Sequence, residues 1–289
     1  MWKVETVSPT VHRIRIPYQN NTAWEQKILV TADRHIDNKY SDLKKQRNHL
    51  NQAKQIHAPV LDFGDFFDVM QAKKDPRACR SALLAYLHNK EDYFDAVVDF
   101  GYTFIKPYSD IIAFLGKGNH ETSVLNHNET NLINRLVRRL RDTESPVVPG
   151  AYSGWIKLMF SRENNNGGRQ CINIRYTHGG GGTAPVTKGV IKTNRRAVDF
   201  PDAHIVLSGH SHEEYRVPIA RERISDLGKV YSDEQLHVQI PSYKNATTGV
   251  SEGWEVEKEM MTKPTGAFWL VFKYNRSMDK IIYDAHKVM

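Results

Sequence analysis

Two histidines stand two residues apart in LSGHSHEEY (207–215), just after the largely apolar stretch His204–Leu207. If the chain stays extended there, His210 and His212 face the same side and can converge on one object, for which a metal ion is the obvious candidate. Paired histidines also occur in surface loops, so the reading depends on other ligand-type residues. ADRH supplies Asp33 and His35, GDFFD supplies Asp65 and Asp68, GNHE supplies Asn119, His120 and Glu121, and INIRYTH ends in His178. Carboxylate, amide oxygen and neutral imidazole form a mixed hard and borderline set suited to Mn²⁺, Fe or Zn²⁺, and the lack of thiolates argues against a structural zinc. Each block alone has a plain explanation, since aspartate is a common turn residue and histidine a common hydrogen-bonding one. Five blocks together do not. The other eight histidines, at 12, 49, 57, 88, 127, 204, 237 and 286, lie outside these blocks and receive no chemistry.

The elements that position the blocks read as strands and helices in alternation. KILVTAD (27–33), APVLDFG (58–64) and DIIAFLG (110–116) are short apolar runs that stop at polar residues. Between them, 41–57 is a helix with Leu43, Leu50, Ala53 and Ile56 near one face, and 79–88 and 91–106 read as helical. Residues 128–142 form an amphipathic helix with Leu132, Leu136 and Leu140 spaced by four and Asn128 as N-cap. This is the grammar of an α/β sheet with crossovers, whose sites lie at one edge. The second half is strand-rich: 155–160 and 170–178 flank the turn-rich SRENNNGGR, and 204–209, 236–241, 266–275 and 280–288 follow. With no repeat and no linker, one domain is expected.

At 289 residues, with 40% hydrophobic and 25% charged residues, the chain is neither disordered nor fibrous. No apolar run approaches the roughly 18 residues of a membrane span, and the first residues lack the apolar centre of a signal peptide, so a cytoplasmic location and no membrane partner are expected. Cys79 and Cys171 make no disulfide framework. A net charge of +7 favours an anionic partner or a simply solvated basic surface.

The order Asp-x-His, Gly-Asp-x-x-Asp, Gly-Asn-His-Glu, His, Gly-His-x-His resembles the calcineurin-like metallophosphoesterase superfamily, from about Asp33 to His212. The resemblance implies an α/β fold of four layers, a two-sheet sandwich flanked by helices. Residues 24–212 would be its metal-binding core, with 213–289 completing the second sheet. It also implies two divalent metal ions, Mn²⁺ first, with Fe or Zn²⁺ as alternatives. Asp33, His35 and His212 would hold one, Asn119, His178 and His210 the other, and Asp65 would span both with its two oxygens. Two such ions acidify a bridging water and clamp an in-line displacement at phosphorus. His120 would protonate the leaving oxygen or hold the phosphate, oriented by Asp68 or with Asp68 merely capping a loop. Glu121 is left without a role.

Val69 and Met70 stand where the protein phosphatases of the superfamily carry Arg-Gly, which counts against that branch. GDFFD is more similar to the repair-exonuclease branch, although Glu121 replaces its usual Asp. GDFFDVMQAKKDPR, TKGVIKTNRRA and PSYK resemble bacteriophage-encoded phosphoesterases, which would place the protein in a host cytoplasm. Between His178 and His210, four glycines let backbone approach a substrate, and Lys188, Lys192, Arg195 and Arg196 supply phosphate-binding charge, or form a solvated basic helix. Arg34 faces either the phosphate or a carboxylate. Tyr215 and Tyr243 stack on bases or pack in the core. The resulting expectation is a metal-dependent phosphodiesterase, most simply a nuclease acting on DNA or RNA. The alternatives are a phosphomonoesterase, a cyclic-nucleotide phosphodiesterase, and a nucleic-acid-binding protein with a non-catalytic metal site.

Overall fold

Alternation along β3 (Glu25–Thr31) sets the layering. Ile28 and Val30 point into one apolar cluster and Leu29 into another, so this strand must be covered on both faces. The computed structural model, which describes all residues except 70–81, 164–168, 183, 185, 252 and 253, meets that demand with two sheets and a helical layer. In the six-stranded sheet, β3, β4 (Val60–Asp62), β5 (Ile112–Leu115) and β6 (Val148–Pro149) run parallel, and β12 (Phe268–Asn275) and β13 (Lys280–Lys287) add antiparallel on the β3 side. The seven-stranded sheet has the order β1 (Lys3–Ser8), β2 (Val11–Tyr18), β7 (Ser153–Arg162), β8 (Arg169–Thr177), β9 (Ile205–Ser208), β11 (Val230–Gln239) and β10 (Tyr215–Ile224). Between the sheets, Ile14, Ile16, Leu158, Ile174 and Leu207 meet Ile28, Val30, Phe114 and Leu270.

Helices flank both sheets, unequally. On the outer face of the six-stranded sheet, α1 (Leu43–Gln55), α2 (Tyr93–Ile105), α3 (Asn119–Asn128) and α4 (Leu132–Arg141) bury Leu50, Val97, Val124 and Leu136 with Leu29, Val60 and Ile112. On the other sheet α5 (Ile191–Asp199) reaches Ser208 of β9 through Arg196, and Phe200 just past its end sits edge-on to Trp155 of β7. The last helix, α6 (Trp254–Glu257), is a single turn. This is the two-sheet α/β sandwich that the resemblance implies. Among the described residues no helix is long and apolar enough to cross a membrane.

Three expectations change. The strands after residue 212 do not complete one sheet: β10 and β11 extend the seven-stranded sheet, while β12 pairs with β3 in the other, where its alternate apolar residues serve both cores. The helix expected over 128–142 is α4, which starts only at Leu132 with Asn131 as its cap, while Asn128 is the last residue of α3. Glu129 at φ 53° ends α3 after Asn128, and the Asn131 side chain accepts the Asn134 N–H at 3.0 Å to start α4. Of the segment 79–88, residues 79–81 lie outside the described residues, as does the centre of the SRENNNGGR turn, and Ala85–Leu87 form a 3₁₀ turn.

The cap assignment makes a direct contrast. Asn131→Ala should cost about 1 kcal/mol of unfolding free energy, and the exposed Asn128→Ala less than about 0.5 kcal/mol, in matched denaturant titrations.

Candidate metal centre

The loops after β3, β4, β5, β8 and β9 meet at one edge of the sandwich, and they are stitched together by main-chain hydrogen bonds that extend the parallel ladders. Asp33 N–H donates to Gly64 O at 2.9 Å, His35 N–H to Asp65 O at 3.0 Å, and Gly209 N–H to His178 O at 2.9 Å. The backbones approach so closely that a Cβ on Gly118 would stand 2.0 Å from Asp65 Oδ1, and one on Gly209 would stand 2.6 Å from Asp33 Oδ2. Asp33, His35, Asp65, His210 and His212 all have φ between 45° and 70°, the left-handed region that costs a non-glycine residue energy and clusters at functional sites. His210 and His212 therefore do not converge by strand alternation: β9 ends at Ser208, and two left-handed residues send the rings to different neighbours.

Those neighbours form two adjoining groups. In the first, His212 Nε2 lies 3.3 Å from Asp33 Oδ1 and 3.4 Å from His35 Nε2, with His35 Nε2 and Asp33 Oδ1 3.9 Å apart. In the second, His178 Nε2 is 3.1 Å from both Asp65 Oδ2 and Asn119 Oδ1, and His210 Nδ1 is 2.7 Å from Asn119 Oδ1. Asp33 Oδ1 also lies 3.9 Å from His178 Nε2, so it stands between the groups. Asp65 turns Oδ2 to the second group, while its Oδ1 accepts the His120 N–H at 3.0 Å.

The donor set fits divalent ions. Donors about 2.1 Å from one ion stand roughly 3.0–3.5 Å from each other, close to the spacings found here. Asp33 Oδ1 is buried without a hydrogen-bond donor, the kind of orphan that a cation satisfies. The ring orientations agree. His178 Nδ1 lies 3.0 Å from Phe63 O and His35 Nδ1 lies 3.1 Å from Asp68 Oδ1, so both rings turn Nε2 towards the carboxylates of Asp33 and Asp65. Burial lowers the His178 pKa, but the charges of Asp65 and Asp33 outweigh it and push it up to about 10, which marks a place that demands positive charge.

Behind the ligands the sequence reading is partly revised. Asp68 does hold the His120 ring, but through its main-chain carbonyl, 2.5 Å from His120 Nδ1. Its carboxylate instead faces His35 and accepts from Asn38 Nδ2 at 3.0 Å. Burial lowers the His120 pKa against the pull of Asp65. Glu121, left unassigned by sequence, is buried and accepts the N–H groups of Gly118, Asp65 and Phe67 at 2.8, 3.1 and 2.9 Å, locking the β4 loop to the start of α3. Its burial and the charge of Asp65 push its pKa up to about 8. Its place three residues after Gly118, the N3 position of a capping box, was the available signal. Asp37, also missed, is buried and accepts the Asp68 and Val69 N–H groups at 2.6 and 2.9 Å.

Arg34 does not face a substrate. Its guanidinium is wholly buried, donating to Asp62 at 2.7 Å, Gln46 at 3.0 Å and Thr31 at 3.1 Å beneath the loop. Arg196 is half-buried and donates to Ser208 Oγ at 2.7 Å, and Lys192 donates to Gly180 O at 2.8 Å, bracing the glycine loop; Lys188 and Arg195 are exposed. Tyr243 is buried with its hydroxyl 2.9 Å from His49 Nδ1, so packing accounts for it, and Tyr215 is half-buried on β10. Arg34→Met would strand the buried Asp62 charge and should cost roughly 3–5 kcal/mol of stability in a denaturant titration. A substrate-contact role would instead lower turnover and leave the unfolding midpoint in place.

No family model matches the sequence, and no curated protein matches it significantly. Solved structures similar to the chain include Vps29 from Entamoeba histolytica complexed with zinc, at 11% identity and TM-score 0.36 over 91% of this chain and 99% of that one. A predicted phosphoesterase from Streptococcus pneumoniae TIGR4 aligns at 11% identity and TM-score 0.33 over 92% and 99%. A metallophosphoesterase from Sphaerobacter thermophilus aligns at 10% identity and TM-score 0.31 over 91% and 89%.

Proposed function

We propose that this chain is a dinuclear-metal-dependent phosphoesterase that hydrolyses phosphodiester bonds, with nucleic acid as its substrate class. The convergence of Asp33, His35 and His212 beside Asp65, Asn119, His178 and His210, with an unsatisfied Asp33 oxygen between them, carries this reading. Two divalent ions held there, Mn²⁺ for preference, would polarise the phosphoryl oxygens and acidify a water. The chain's own part is positioning and proton handling. His120, held by the Asp68 carbonyl at Nδ1, presents Nε2 at the site 3.5 Å from Asp65 Oδ2, where the ring in its doubly protonated form would pass the Nε2 proton to a leaving oxygen and be left neutral. The His212 side chain keeps 26% of its surface exposed, and His210 and Asn119 are also half-buried, so the site opens at both groups. Lys188 and Arg195, on the segment that joins His178 to His210, extend positive charge outward from that edge.

Metal analysis after Mn²⁺ loading should approach two equivalents. His120→Ala should keep both while losing turnover of a small phosphodiester by about 10²–10⁴-fold. Binding of one ion only, or a His120→Ala variant that loses metal as His210→Ala does, overturns the role assignment. An intact two-ion protein that turns over no phosphodiester, monoester, cyclic nucleotide or DNA would make the site non-catalytic.

The nucleic-acid part has its own measurement. Cleavage of single-stranded DNA should weaken with salt at a log–log slope of roughly 0.7 per contacted phosphate. Lys188→Glu with Arg195→Glu should flatten that slope by about 1–2 while leaving a small diester reporter nearly unchanged. No change on DNA would move the substrate class to small phosphoesters.

A further inference from the structure

One more charged group reaches the centre from a distant part of the chain. Lys244 Nζ lies 3.6 Å from Asp68 Oδ1 and 2.8 Å from Glu255 Oε1, with 14% of its side chain exposed. Burial alone would lower its pKa, but the two carboxylates outweigh burial and hold it above the usual lysine value, so the ammonium is charged. The turn that carries it is fastened to a ligand residue. Ser242 Oγ and Tyr243 N–H donate to Asp33 O at 2.8 and 3.1 Å, and Lys244 N–H donates to Ser242 Oγ at 2.9 Å.

Asp68 has particular need of such a partner. Its Oδ2 accepts from Asn38, whereas its buried Oδ1 stands 3.1 Å from His35 Nδ1 and 3.8 Å from His120 Nδ1 with no aligned hydrogen bond. A buried carboxylate with one oxygen so poorly satisfied is held in place by charge, and the ammonium supplies it. The rings beside Asp68 are those of His35 and His120, and Asp68 does not belong to the second group of Asp65, His178 and His210.

We propose that Lys244 is a positioning residue for the first metal group: braced by Glu255, its ammonium fixes the Asp68 carboxylate, which fixes the His35 ring with Nε2 facing Asp33 and His212. The inference rests on the two-ion reading above. It makes Lys244 act on one ion and not the other, because Asp68 contacts a ligand of the first group alone. Outer partners of metal ligands typically affect affinity by about 10–100-fold.

The test is a calorimetric Mn²⁺ titration of the whole protein, comparing wild type with Lys244→Met, Lys244→Arg and Glu255→Gln. Lys244→Met should weaken one of two sites by about 10–100-fold and leave the other unchanged. Lys244→Arg, which restores a cation, should recover most of the loss, and a general packing role would give no such rescue. Glu255→Gln keeps the lysine, removes its brace, and should weaken the same site by a smaller factor. It carries the test if Lys244→Met fails to fold. Equal weakening of both sites, or unchanged affinities with two ions still bound, overturns the role of Lys244 alone. A wild type that binds no ion overturns the metal-centre reading and this inference with it.

Discussion

Three buried carboxylates at one sheet edge impose the electrostatic constraint on which the rest depends. Asp33, Asp65 and Asp68 are each at most 3% exposed and share imidazole neighbours: His178 touches Asp33 and Asp65, His35 touches Asp33 and Asp68, and His120 touches Asp65 and Asp68. A carboxylate taken out of water without compensation costs several kcal/mol, so a group of three requires positive charge close by. The imidazoles answer unevenly. His178 is driven to hold a proton, whereas burial pushes His120 and His210 towards neutrality. Divalent cations bound there would meet the requirement without protonating the rings, since neutral imidazole nitrogens are what such ions bind.

The same constraint explains why strained backbone is tolerated. Five residues of the candidate site in left-handed conformations cost on the order of 1–3 kcal/mol each and persist only where the surroundings over-determine them. Here the determinants are visible. Loop-to-loop hydrogen bonds continue the parallel ladders, glycines allow backbone to approach side-chain oxygen, and Glu121 and Asp37 each collect main-chain N–H groups from the loop after β4. Ions that bind the folded chain and not the unfolded one add stability through the same residues. Strain, charge and metal affinity are therefore one property of this edge and not three.

The sequence made the strand ends and their ligand types legible, because a short apolar run stopping at Asp, Asn or His has few alternative uses when it recurs five times. What it left obscure depends on contacts between segments far apart. Arg34, flanked by Asp33 and His35, looks like a phosphate contact until β3 pairs with β4 and brings Asp62 beneath it. Asp68 reads as the carboxylate behind His120, yet the fold turns its carbonyl to that ring and its side chain to His35. The second strand carries alternation in VHRIRIPY, with Ile14 and Ile16 inward and Arg15 between them, a strand signal with no ligand-type residue at its end to draw it to the site. Asn128 and Asn131 are chemically equal caps, and only the turn at Glu129 separates them.

The basic segment shows how counting charges misjudges a field. Lys188, Lys192, Arg195 and Arg196 lie within nine residues and look like four phosphate contacts. Lys188 precedes α5, and Arg196 is turned about 100° around the helix axis from Arg195. Its guanidinium reaches the seven-stranded sheet, and the Lys192 ammonium is occupied with glycine carbonyls. Two of the four thus stiffen the segment between His178 and His210, and two, Lys188 and Arg195, remain exposed. A substrate held by only those two cations has modest affinity from the backbone field alone. On the proposed function, tight and oriented binding of the scissile phosphate would then come from the two ligand groups, and discrimination between phosphoesters would lie at the edge where Asp33, Asp65 and the imidazoles meet.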